Sequence, residues 1–151
     1  MSKQKFVILK EYENNLTLLM DILGSGTTDN IELNRIGKLL FGDAFVGVFS
    51  SNKMKPLNNN EMCIVNTDPD YKGGTHWCAC YKYNNKTYVY DSYDRDIKSL
   101  SKYWKHKHNW VNANADRDQS YNGESNCGTR SMTWLISAQK YKPHKYNINI
   151  L

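Results

Sequence analysis

The hydrophobic positions change period along the chain. In NNLTLLMDILGSG, Leu16, Leu19, Met20 and Leu23 recur three and four apart, which predicts a helix ending at Gly24, where glycine takes the left-handed conformation without strain. A second helix is predicted over DNIELNRIGKLLFG, with Asp29 as its cap, Ile36, Leu39 and Leu40 on one face and Gly42 as its stop. The period then shortens to two. AFVGVFS, MCIVNT, HWCACYKY and KTYVYDSY are short, rich in β-branched and aromatic residues and bounded by turn formers, and each reads as a strand. The last two are joined by Asn84 and Asn85, which tolerate positive φ, so an antiparallel hairpin is predicted. Along HWCACYKY the side chains alternate: His76, Cys78 and Cys80 share one face, Trp77, Ala79 and Tyr81 the other.

Helical spacing returns in DRDIKSLSKYWKHKH, with Asp94 or Asp96 as the cap, Ile97, Leu100 and Trp104 turned inward and the basic residues outward. NWVNA reads as a short strand before a loop rich in Asn, Asp and Ser. From Cys127 to about residue 140, Met132, Leu135, Ile136 and Gln139 fall on consecutive turns of a last helix. The fold class is α+β: a small mixed or antiparallel central sheet packed against helices. With no linker-like shift in composition and no repeat, residues 1–151 read as one domain.

Composition narrows the setting. The chain is 40% hydrophobic and 23% charged, as soluble globular proteins are, which excludes the disordered and fibrous classes. No apolar run approaches the roughly 18 residues that span a bilayer, and MSKQKFVILKEYENN has an apolar core too short for a secretory signal. Neither membrane nor secretion is expected, and the four cysteines are expected as free thiols in a reducing compartment. The net charge of +5 gives a weak attraction to polyanions.

One thiol stands out by its place. With Asn126 as a possible cap, Cys127 falls in the first turn of the last helix, where unpaired amides and the helix dipole favour an anion such as a thiolate. Gly123 and Gly128 flank it and would let backbone approach a substrate closely. A buried small residue closing a helix onto a sheet looks the same, so partners decide. A nucleophilic thiol needs an imidazole, and the imidazole needs an acceptor to hold its tautomer. The hairpin offers both, His76 at the start of one strand and Asp91 at the end of its neighbour, although a solvated histidine and a turn-capping aspartate would fit those positions too. Acyl transfer also needs donors for the oxyanion: the amide of Cys127, with the side chain of Gln119 or, in its place, Asn122 or Asn126.

In this order these residues resemble a known family, the adenovirus-type maturation proteases (adenain), in the clan of the ubiquitin-like-protein proteases. GGTHW at 73–77 is similar to the family's Gly-Gly-x-His-Trp signature, with IVNT before it, YVYDSYD after it as the strand of the acidic residue, and QSYNGESNCG as the loop of the glutamine and cysteine. LGSG and FVGVFSSNKM extend the likeness from about residue 16 to 138. The resemblance implies Cys127 as nucleophile at a helix N-terminus, His76 as general base, Asp91 as its orienting partner and Gln119 as oxyanion donor. It implies a thiol endopeptidase, monomeric and without a required cofactor, that cleaves viral capsid or core precursors at Gly-containing sites in the virion and at the assembly site of the host cell. Asp91 stands where adenain has Glu, the Gln119 to Cys127 loop is slightly longer, and C-terminal helices of adenain are expected to be missing or reduced. No cysteine lies between Asp91 and Cys127, so peptide activation through a disulfide does not carry over. Activation by DNA stays open, through a basic surface formed by KSLSKYWKHKH and QKYKPHK. The alternatives are an isopeptidase for ubiquitin-like tags, a zinc site from Cys63, His76, Cys78 and Cys80, and a noncatalytic binding module.

Overall fold

The computed structural model describes residues 3–24, 28–72, 76–93, 95–104, 109–113 and 126–142. Helix α1 spans Lys3–Leu23 and begins well before the predicted start, because Ile8 and Tyr12 continue the buried stripe that Leu19 ends. Gly24 closes it with φ 85°, and its amide bonds Met20 O at 2.8 Å. Helix α2 spans Asn30–Phe41, capped by Asp29, whose Oδ1 accepts from the Glu32 amide at 2.8 Å. Its inner face differs from the predicted one. Leu33, Ile36 and Gly37 are buried, whereas Leu39 and Leu40 are exposed. Gly37 makes the close approach possible: a Cβ there would collide with the Phe45 ring.

Five strands form one mixed sheet in chain order: β1 Phe45–Phe49, β2 Met62–Asn66, β3 Trp77–Tyr83, β4 Lys86–Tyr90 and β5 Trp110–Asn112. The β1/β2 and β4/β5 pairs are parallel, the two between them antiparallel. Asn84 (φ 53°) and Asn85 (φ 64°) make the β3/β4 turn. Helix α3 is shorter than predicted. Among the described residues of this stretch only Ile97–Leu100 are helical, Asp96 Oδ1 accepts from the Lys98 amide at 3.3 Å, and the chain then turns so that Trp104 inserts beneath the sheet. Asp94 lies outside the described residues. Helix α4 spans Cys127–Tyr141.

The alternation read along β3 divides the core. Ala79 and Tyr81 face a cluster with Met62, Ile64, Tyr90 and residues of α1, α2 and α4, in which the Trp134 and Tyr90 rings stack at 5.5 Å. Cys63, Cys78 and Cys80 face the other cluster, with Met54, Leu57, Val65, Val89 and Trp104. The sheet is therefore covered by helices on one side and by irregular chain on the other.

Candidate active site

Strand register brings the site together. Asn66 lies opposite Trp77 and Ala79 opposite Tyr90, so His76, just before β3, and Asp91, just after β4, emerge at the same end of the sheet. The His76 carbonyl accepts from the Thr67 amide at 3.0 Å, which extends the β2/β3 ladder by one bond. Its imidazole is buried and its Nε2 is hydrogen-bonded to Asp91 Oδ1. Asp91 is wholly buried, and its Oδ2 accepts from the Arg95 amide at 2.9 Å and from Arg95 Nε at 3.0 Å. Tyr93 covers one face of the imidazole, with ring centroids 4.8 Å apart and planes 19° from parallel.

Helix α4 delivers the thiol. Cys127 Sγ accepts from the Trp77 amide at 3.4 Å, which sets it beside the His76 ring. One turn on, Ser131 Oγ donates to the Trp77 carbonyl at 3.2 Å. Both backbone polar groups of Trp77 are thus held by α4, four residues apart on one helix face, which fixes the register between the Cys127 helix and the strand that follows His76.

Two sequence readings change here. Asn126 occupies the capping position, but its side chain does not cap; Oδ1 instead accepts from Arg130 Nε at 2.9 Å. The first-turn amides remain for the sulfur, and that of Gly128 favours its anion. Gly128 is glycine for packing rather than for substrate approach. It is buried, and a Cβ would collide with Thr28 Oγ1 and press on Leu33.

The electrostatics follow from this geometry. Burial alone would push the Cys127 thiol up, but the bond and charge of His76 with the amides of Trp77 and Gly128 bring it below its ordinary value. Burial would likewise lower His76, yet its bonds to Asp91, Cys127 and Cys78 outweigh this and push it up to about 12. Asp91, raised by burial, is held down further by His76 and Arg95. The arrangement favours a thiolate beside an imidazolium, the reactive form of a nucleophilic cysteine.

The metal reading needs correction. Among the described residues the group whose ligand atoms lie within 4.8 Å of one another is His76, Cys78 and Asp91, not the set with Cys63 and Cys80. Cys63 and Cys80 face each other across β2 and β3, inside the lower core. The three residues that do meet fit a cation poorly. The Asp91 charge is already shared by His76 and Arg95, and burial raises the Cys78 thiol, which keeps its proton.

Gln119, Asn122, Gly123 and the Gly-Gly of GGTHW lie outside the described residues. Sequence reasoning missed Trp77, whose contribution is a backbone amide and carries no side-chain signal, and Ser131, legible only as the residue one turn after Cys127. It also missed Arg95, four residues after Asp91 in DSYDR. The sequence matches no model of a known protein family and no curated protein.

Proposed function

We propose that this chain is a cysteine endopeptidase with an adenain-like fold. The observation that carries the reading is that Cys127 and His76, from distant parts of the chain, meet at the tip of α4, where the Cys127 sulfur accepts from the amide next to His76, with Asp91 behind the imidazole. In the reaction the Cys127 sulfur attacks a peptide carbonyl, and the proton held on His76 passes to the leaving amine as the C–N bond breaks. The product is a thioester and a free amine. His76 then takes a proton from water, whose oxygen attacks the thioester, and the thiolate leaves as the acid is released. Asp91 keeps the ring oriented in both steps. The Cys127 amide and the Gln119 side chain serve the oxyanion.

The resemblance of GGTHW and its neighbours supports viral capsid or core precursors as substrates, cut at Gly-containing sites during assembly in the host cell and in the virion. Cys127→Ala is expected to abolish cleavage of such precursors with folding intact, and an alkylator to label Cys127 before the more deeply buried Cys63, Cys78 and Cys80. Cleavage that survives Cys127→Ala, or is lost to a chelator but not to an alkylator, would refute the proposal. Release of a ubiquitin-like protein from a lysine side chain, with no cut in capsid precursors, would assign the same chemistry to an isopeptidase.

A further inference from the structure

Asp91 has two carboxylate oxygens, and the chain divides them. Oδ1 is bonded to His76, and Oδ2 takes two donors from Arg95, its amide at 2.9 Å and its Nε at 3.0 Å. The Arg95 guanidinium also lies 5.3 Å over the Tyr93 ring, which in turn stacks on His76 at 4.8 Å. One side chain therefore touches both supports of the imidazole: the carboxylate at its edge and the aromatic ring on its face.

We propose that Arg95 is a positioning residue for the His76–Asp91 pair, working on the carboxylate directly and on the imidazole's tilt through Tyr93. The significance for peptide cleavage rests on the function proposed above; the positioning itself does not. The terminal torsion of an aspartate is broad, so a carboxylate held by one bond rocks between its two oxygens. A second pair of donors, one of them backbone, leaves only Oδ1 facing the ring. A guanidinium suits this place because its plane lies on an aromatic face while its edge donates to a carboxylate, which a lysine ammonium does not combine.

Orientation and charge are separated by variants that keep a cation at position 95, which gives the proposal its test. Among the described residues, the groups that face the imidazole are Asp91, Cys127 and Cys78, with Tyr93 on its face and the Arg95 cation beyond Asp91. If Arg95 acted only by its charge, removing the cation would move the Cys127 thiolate to higher pH, but Arg95→Lys and Tyr93→Leu, which both keep a cation at position 95, would leave it unmoved. If it positions the pair, all three changes loosen the ion pair, and the thiolate forms at higher pH in each.

The experiment is the rate of Cys127 alkylation by iodoacetamide against pH, with the labelled residue identified by mass, in the wild type and in Arg95→Met, Arg95→Lys and Tyr93→Leu. Arg95→Met is expected to move the half-point up by about one unit, read as roughly tenfold slower alkylation on the acid side. Arg95→Lys should fall between the two, and Tyr93→Leu should move the same way. A half-point unmoved in folded Arg95→Met, or unmoved in both Arg95→Lys and Tyr93→Leu, overturns the proposal. Because alkylation needs no substrate, a wild type that cleaves no precursor would defeat the protease reading while these shifts still decide the role of Arg95.

Discussion

Two thiols touch the same imidazole, and their surroundings drive them apart. Cys78 is wholly buried among apolar side chains and is pushed up, whereas Cys127, at a helix tip with two amides on its sulfur, is held down. The sign of the pH dependence follows. As pH rises through the lowered Cys127 value, the reactive thiolate forms, so alkylation is expected to reach half its maximum below the ordinary thiol value of about 8.5. No fall should follow at moderately alkaline pH, since His76 keeps its proton up to about 12. In His76→Gln the half-point should return to the ordinary thiol range or above it, with alkylation at neutral pH slower by about tenfold or more. A wild-type half-point at the ordinary value would show that the ring does not activate the sulfur. At this scale the side chains were legible, because Cys, His and Asp carry their chemistry in their names. The backbone donors of Trp77 and Gly128 were not, since every residue has an amide and only the fold says which one faces the sulfur.

At the scale of elements, the position of the thiol depends on how closely α2 approaches α4. Gly128 allows that approach, its Cα lying against Thr28 and Leu33. Gly128→Ala is expected to cost about 1–3 kcal/mol of stability in chemical denaturation, in the range of core overpacking, and to slow Cys127 alkylation. Thr28→Ala on the same background should recover part of the loss; a neutral Gly128→Ala would contradict the close packing. The opposite holds at Leu39, which the spacing of apolar residues placed in the core. Leu39→Ser is expected to change stability by no more than about 0.5 kcal/mol, because the side chain is exposed. Spacing gave the existence of α2 but not its facing, since three apolar residues near its end could turn either way and the Gly37–Phe45 contact chooses. For α3 the apolar pattern extended to Trp104, yet the chain reaches that position by a turn: the Trp104 amide bonds Ser101 O at 3.0 Å and its Nε1 bonds Asn66 O at 3.1 Å.

At the scale of the whole molecule, the sheet with helices on one face was legible because the period of two and the period near 3.6 occupy separate stretches. Which segments meet across the sheet was not. Of the two basic segments read as one surface, residues 105–108 and 143–145 lie outside the described residues; Lys140 is paired to Glu11 at 3.0 Å. The central pair also leaves a mark on global stability. His76 is raised above its unfolded value, so its contribution is full below about pH 6.5 and is lost as pH rises toward 12. Asp91 is depressed, so its contribution is present above about pH 3.9 and is lost as pH falls through the folded value. In Cys127→Ala, where no thiolate compensates, unfolding free energy should fall between pH 6.5 and 9 by at most about 1.4 kcal/mol per unit. His76→Gln added to that background should remove this slope.

The most direct test is to mix the protein with a Gly-containing precursor peptide ester, quench in acid and weigh the intact chain. The proposed mechanism gives a chain heavier by the acyl group, with the added mass on Cys127 and absent in Cys127→Ala. Hydrolysis of the peptide with no acyl group on Cys127, or with the same adduct in Cys127→Ala, would contradict it.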